Sequence, residues 1–169
     1  MATITPVLTN FVVAPRVYGT APFDLTIPVS TNTNPAATFT FTSSNVAVAD
    51  ISGITVTIVS AGQTVITARQ AATTGYSLAT ITANFTVNIA TPTISGFTIA
   101  PKSFGDISFG LTDPLSNSAG VFSFRSLTTD IITVSGRVAT IKHVGRAQIE
   151  AIQFPATNYA SGSVVAEFE

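Results

Sequence analysis

The sequence predicts an all-β chain folded as two tandem antiparallel β-sandwich domains, residues 1–90 and 91–169. Three observations predict it. The chain repeats itself once along its length, its apolar residues alternate with period two, and turn residues interrupt the alternating runs at intervals of about 8 to 12 positions.

The repeat sets the frame. Residues 8–28, "LTNFVVAPRVYGTAPFDLTIP", lie over residues 94–114, "ISGFTIAPKSFGDISFGLTDP", at a constant shift of 86 with eight identities. The identities pair Phe11 with Phe97, Pro15 with Pro101, Gly19 with Gly105, Phe23 with Phe109 and Leu25 with Leu111, among others. After a three-residue deletion the shift becomes 83 and stays there to the end, where "AGQTVITARQAATTGYSLATITANF" lies over "VGRAQIEAIQFPATNYASGSVVAEF". The deletion falls in "STNTNPAAT" opposite "SNSAG", a polar Gly/Pro/Asn stretch of the kind in which a surface loop tolerates a change of length.

Taken in chain order, the strand candidates of each copy are "FDLTI" and "FGLTD", "FTF" and "FSF", "VAVADI" and "DIITV", and "TVTIV" and "VATIK". Between the last two runs stand Ser52-Gly53 and Ser135-Gly136, read as hairpin turns in which Gly supplies a positive φ without steric cost. In "ITANFTV" the residues Ile81, Ala83, Phe85 and Val87 share one face, with Thr82, Asn84 and Thr86 on the other. The counterpart strand puts Val164, Ala166 and Phe168 inward and Glu167 and Glu169 outward, and "AQIEA" puts Ile149 and Ala151 inward and Gln148 and Glu150 outward. Between the copies, "NIATPT" at residues 88–93 is a short joint in which Pro92 restricts Thr91 to extended conformations. A joint so short and stiff is expected to hold the domains roughly end to end.

Composition narrows the function. Of 169 residues, 46% are hydrophobic, enough to fill a core, and only 9% are charged, against about 25% in ordinary globular proteins. The formal net charge of −1 offers no electrostatic footprint for nucleic acid or an anionic membrane. With no cysteine, disulfide and thiolate chemistry are excluded, and the fold stands on burial and ladder hydrogen bonds. The start, "MATITPVLTN", lacks the basic and apolar regions of a secretory signal, and no run of about 18 apolar residues exists, so membrane insertion is not expected. A whole gene product of this kind would be made in the cytosol and leave it by assembly or lysis.

The order "YG-x-x-x-F-x-L-T", then "FTFTSSNVAVA", then "SG-x-x-V-T-I-V-x-A-G-x-x-x-I-T-A" and "GYSLAT" resembles the bacterial immunoglobulin-like repeat, once per copy over nearly the whole chain. Such repeats occur in tandem in bacterial surface adhesins and in fibre or capsid-decorating proteins of phages and large viruses. The resemblance implies immunoglobulin-like sandwiches and a non-enzymatic structural or adhesive role on a virion or cell surface. The partners it implies are structural proteins of the same assembly, further copies of the chain, or a host-surface receptor. The second copy departs from the pattern where "SSNVAVAD" becomes "SLTTDIIT", which keeps the strand and loses the Ser-Ser-Asn turn.

Residues able to carry chemistry are few. His143 is the only histidine, so neither a histidine metal cage nor a Ser-His-Asp set can be assembled within one chain, and no catalytic residue, metal or cofactor is expected. Lys142, His143 and Arg146, with Arg125 and Arg137 as neighbours, form the one basic concentration; it reads either as a solvated loop or as a site for phosphate or an acidic polymer. The acids Asp106, Asp113 and Asp130 read as solvated loop residues or as oxygen ligands for Ca²⁺. Tyr76 and Tyr159 share one repeat position and are expected to anchor a loop on the core with the ring buried, the alternative being a duplicated binding residue. Phe154, where the first copy has Ala71, is expected at the surface. Asn84-Phe85-Thr86 fits a glycosylation sequon, but Phe85 faces inward and the match reads as accidental. The absence of Trp lowers the prospect of a sugar-stacking platform.

Overall fold

The computed structural model describes residues 3–31 and 37–169. The chain divides into two units, Met1–Ala90 and Thr91–Glu169, each around its own core. None of the described residues is helical.

In unit 1 the strands are β1 (Val7–Thr9), β2 (Arg16–Val17), β3 (Phe23–Asp24), β4 (Val29–Thr31), β5 (Phe39–Ser43), β6 (Ala49–Ser52), β7 (Thr55–Ile58), β8 (Gly62–Gln70) and β9 (Ala79–Asn88). One sheet has the order β2-β9-β8-β5, the facing sheet β3-β7-β6, and β1 pairs with β4. Unit 2 repeats the plan with β10 (Ile94–Ser95), β11 (Phe109–Gly110), β12 (Leu115–Ser116), β13 (Phe122–Ser126), β14 (Ile132–Ser135), β15 (Val138–Ile141), β16 (Ala147–Gln153) and β17 (Gly162–Phe168). Its sheets are β13-β16-β17 and β11-β15-β14, with β10 paired to β12.

Period-two alternation fills each core from both sheets. Phe41, Ile66, Ala68, Ala83, Phe85 and Val87 of one sheet meet Leu25, Ala49 and Val56 beside or within the other. In unit 2 their counterparts Phe124, Ile149, Ala151, Ala166 and Phe168 meet Leu111, Ile132 and Ala139. The matched phenylalanines keep their partners. Phe11 and Phe41 lie 5.9 Å apart and Phe97 and Phe124 5.6 Å, while Phe23 and Phe85 lie 5.6 Å apart edge-on and Phe109 and Phe168 6.1 Å. Such tilted and edge-on arrangements are the ones the ring quadrupole favours.

The backbone is repeated as closely as the core. Asn10 has φ 61 where the second copy has Gly96 at 71, and Asn158 has φ 71 where the first has Gly75 at 85. The left-handed site is therefore fixed by the turn, and each copy fills it with Asn or Gly, residues that tolerate it well. Gly53 and Gly136 have φ 64 and 58 at the first central position of two-residue hairpin loops, while Ile54 and Arg137 at the second do not have positive φ, the φ signature of a type II′ turn.

Three expectations are corrected. "FDLTI" and "FGLTD" yield only the two-residue strands β3 and β11, because their partners β7 and β15 begin at Thr55 and Val138, just after the hairpin turns. One further bond, from the Leu25 amide to the Ile54 carbonyl at 2.9 Å, ends the pairing, and Leu111 and Arg137 repeat it at 2.8 Å. The sheets are not wholly antiparallel: β2 runs parallel to β9, with Arg16 opposite Val87. Third, the second copy keeps the turn that the loss of Ser-Ser-Asn was expected to remove. In unit 1 the buried Thr64 hydroxyl meets Ser43 Oγ at 2.8 Å and Ser44 Oγ at 3.2 Å and accepts the Asn45 amide at 3.0 Å. In unit 2 Ala147 stands in place of Thr64, and the Thr128 hydroxyl instead accepts the Gln148 amide at 2.9 Å, the task of Ser44 toward Val65 in unit 1. Thr64→Val, which removes the hydroxyl at near-constant shape, is expected to lower the stability of unit 1 by about 1–2 kcal/mol. Urea denaturation checks it; an unchanged midpoint would show that the Ser43 hydroxyl alone holds the turn.

Candidate functional site

The candidate basic residues lie on the β15–β16 connection at the end of unit 2. His143 replaces Ser60 of the first copy and inherits its bond. Ser60 Oγ donates to the Ala47 carbonyl at 2.6 Å, and His143 Nδ1 donates to the carbonyl of Asp130, the counterpart of Ala47, at 2.5 Å. A carbonyl only accepts, so this bond fixes the proton on Nδ1 and the imidazole holds a loop.

The five basic residues do not pool their charge. Arg146 pairs with Glu167 at 2.6 Å, Arg137 with Asp113 in a two-pronged contact of 2.5 and 2.9 Å, and Arg125 with Glu150 at 2.6 Å. Arg137 and Asp113 stand where the first copy has Ile54 and Ile27, so a polar pair takes the place of two exposed isoleucines. Lys142 lies in the same connection, its amide bonded to the Ile131 carbonyl at 2.7 Å. The three acids proposed for Ca²⁺ do not converge either. Asp113 holds Arg137, Asp106 accepts the Ser103 amide at 2.9 Å, and Asp130 offers its backbone carbonyl to His143. Among the described residues no group of three His, Cys, Asp or Glu is placed to hold a metal ion.

Glu150 has a distinct environment. The Ser163 hydroxyl and then the Arg125 guanidinium hold its carboxyl below the usual carboxylate range. A carboxyl depressed in the folded state contributes stability that is present above its unfolded pKa of about 4.3 and lost as pH falls through the folded value. Ser163→Ala is expected to make the stability of unit 2 less steeply dependent on pH in the acid range. Urea midpoints from about pH 6 down to about pH 2 check this; equal slopes in both proteins would contradict it.

His143 and Arg146 also line a cavity of about 320 Å³ in unit 2. Its lining combines apolar residues, among them Phe104, Ile131, Ile132, Ile141, Ala147 and Phe168, with the charged Lys102 and Glu169. Beside it the Lys102 ammonium sits 4.8 Å over the Phe109 ring, as the Arg16 guanidinium sits 4.8 Å over Phe23 in unit 1.

At the other end of β16 stands a feature that the sequence reading passed over. Gln153 is 1% exposed, and Gln70, its counterpart, is 2% exposed. The Gln153 amide accepts from Ser116 Oγ at 2.7 Å and donates to the carbonyls of Ser118 at 3.0 Å and Gly120 at 2.7 Å. It ties the "SNSAG" loop to the sheet. The recurrence of a Gln at an inward position in both copies was the available signal. Of the matching first-copy loop "STNTNPAAT", residues 32–36 lie outside the described residues.

Tyr76 and Tyr159 each close a four-residue turn through paired backbone bonds, with Thr73 at 3.0 and 3.2 Å and with Ala156 at 3.0 and 3.2 Å. Both residues are half-buried rather than buried. Phe154 is exposed, and Asn84 lies within β9 opposite Val65. Among the described residues no helix is long and apolar enough to cross a membrane.

No protein-family model matches the chain, and no curated protein matches it by sequence. Solved structures do match. The crystal structure of the insect immune protein hemolin matches with a TM-score of 0.50 at 13% identity, over 97% of this chain and 46% of that one. Both units are immunoglobulin-like sandwiches. Drosophila N-cadherin EC1–4 matches with a TM-score of 0.47 at 8% identity, over 98% of this chain and 49% of that one. The chain therefore spans about half the length of these two structures.

Proposed function

We propose that the chain is a non-enzymatic structural module, a rigid spacer or decorating segment of a virion or cell-surface assembly. The observation that supports this most is the route of the backbone through each unit. In unit 1 Ile4 is bonded to Gly75 and Ser77 beside the Gln70–Ala79 end of the β8–β9 ladder, and the chain leaves past Gly62 and Val87. Nine paired positions separate those ends, roughly 30 Å of strand. In unit 2 the Thr93 amide is bonded to Asn117 near the Gln153 end, and the last strand leaves beside Ala147. A unit entered at one end and left at the other can be strung in series, each added unit needing contacts with its neighbours alone.

The polar inventory points the same way. The single histidine is spent on a backbone carbonyl, and each arginine near it has a carboxylate partner. The partners of such a module are other structural proteins of its assembly and further copies of itself. Electron microscopy of the native particle or surface, labelled with an antibody to this chain, is expected to place the label along a fibre or shell. Label dispersed as free monomers would sink the reading, as would hydrolytic turnover traceable to the purified protein.

A second reading, an adhesive or receptor-binding module, is favoured by one observation. Val121 and Phe154, 69% and 49% exposed, are joined by a bond from the Phe154 amide to the Val121 carbonyl over the loop that Gln153 holds. Hemolin, one of the structures that match, has a domain arrangement with implications for homophilic adhesion. Loss of surface attachment in Val121→Asp with the fold intact would select this reading over the spacer.

A further inference from the structure

Asn84-Phe85-Thr86, the one sequon in the chain, reads differently once its strand is in place. Its middle residue is inward, but the acceptor chemistry belongs to the outer two. Along β9 the residues Ala83, Phe85 and Val87 are buried, while Asn84 is exposed and Thr86 half-exposed on the opposite face. Residues two apart on a strand stand about 7 Å from each other on one side of the sheet. The Asn84 carboxamide therefore points away from the core, and a bulky group on its nitrogen displaces no buried side chain.

The surroundings of Asn84 suit a sugar. A shallow groove of about 300 Å³ lies there, lined by Ser44, Gln63, Val65, Asn84 and Thr86 and by no charged residue. Val65 stands opposite Asn84 and turns its backbone the other way: its amide donates to Ser44 Oγ and its carbonyl accepts the Ser44 amide, both at 2.9 Å. Asn84 and Val65 are thus a cross-strand pair without mutual hydrogen bonds, the kind whose side chains come closest. Val65 is 37% exposed, an apolar surface bordered by hydroxyls and amides. A pyranose has the same two kinds of surface, a C–H face and a hydroxyl rim. The second copy closes the equivalent place with charge: Glu167 stands where Asn84 does, accepts from Gln148 and pairs with Arg146 at 2.6 Å.

We propose that Asn84 is an attachment site for an N-linked oligosaccharide whose first sugar rests in this groove over Val65. In the transfer, Asn84 Nδ2 forms a bond to C1 of a sugar carried as a polyprenyl diphosphate. The bond from C1 to the diphosphate oxygen breaks, the lipid diphosphate leaves with the electron pair, and Nδ2 gives one proton to a base of the oligosaccharyltransferase. The attached chain covers the outer face of β8 and β9 and leaves the core of unit 1 untouched. The inference goes beyond the spacer reading and asks only that the chain pass through a compartment holding such a transferase.

Mass spectrometry tests it on the protein isolated from the particle or surface that carries it, and on the full chain secreted behind a cleavable leader from eukaryotic cells. Both are expected to carry an oligosaccharide on the peptide that contains Asn84, removed by peptide N-glycosidase with conversion of Asn84 to Asp. Asn84→Gln and Thr86→Ala should be secreted folded and without it, and Thr86→Ser should retain it. The glycosylated protein should show its unit 1 urea transition at higher concentration than Asn84→Gln, and Val65→Ser should keep the glycan and lose that shift. An unmodified Asn84 in either source would overturn the proposal, as would a glycan that persists in Asn84→Gln. Equal urea transitions with and without the glycan would remove the first sugar from the groove.

Discussion

Phe85→Ala is expected to cost unit 1 about 3–5 kcal/mol, a large share of the roughly 5–15 kcal/mol that holds a domain together. Phe85 is fully buried in the middle of the core, its ring edge-on to Phe23, on a strand paired on both sides. Truncation removes the transfer energy of the ring and leaves a cavity that two hydrogen-bonded sheets cannot collapse around. The cores of the two units share no residue, so the urea transition of unit 1 should move to lower concentration while that of unit 2 stays in place. Phe168→Ala should lower the transition of unit 2 in the same way, because Phe168 is buried in the other core and edge-on to Phe109. A Phe85→Ala protein with its first transition unmoved would mean that the matched aromatic pairs do not carry the core.

The central ladders of this fold were legible in the sequence because burial and alternation coincide there. Along β9 and β17 every second side chain is apolar and inward, so the period alone gives the face. The turns were legible for a related reason: a left-handed backbone position admits few residues, and Asn10 with Gly96 or Gly75 with Asn158 mark the same place in both copies. The short edges were not legible. β1 and β4 pair only three residues each and leave Val7 and Val29 exposed, so no alternation distinguishes them from loop. The two-residue parallel contact of β2 follows Pro15 and is set by where β9 runs, a tertiary cause invisible to local pattern.

The candidate site was legible in part. The cluster around His143 was visible as charge, but charge counted along the chain says nothing of Glu150, Glu167 and Asp113, which reach the arginines from neighbouring strands and from the loop before β12.

Gln153→Glu is expected to destabilise unit 2 by about 2–4 kcal/mol at neutral pH and by less in acid, although the two side chains have nearly the same shape. In the native protein the amide nitrogen donates to the Ser118 and Gly120 carbonyls, and the amide oxygen accepts from Ser116, all where Gln153 is 1% exposed. A carboxylate there still accepts from Ser116 but confronts two carbonyls with negative charge. Protonation restores one donor, so the folded state binds the proton more tightly and the carboxyl is raised above its usual range. A raised folded value means that the stability is present below the unfolded pKa and lost as pH rises through the folded one, the reverse of Glu150 in the parent protein. Urea midpoints at acid and neutral pH separate the cases, and hydrogen exchange over residues 117–121 shows whether the loop loosens at the same time. Gln153→Leu, which supplies no donor in either range, should be destabilised alike at both. If Gln153→Glu matched the parent at neutral pH, the amide would not be what fastens the loop, and the resemblance between Gln70 and Gln153 would be an accident of descent.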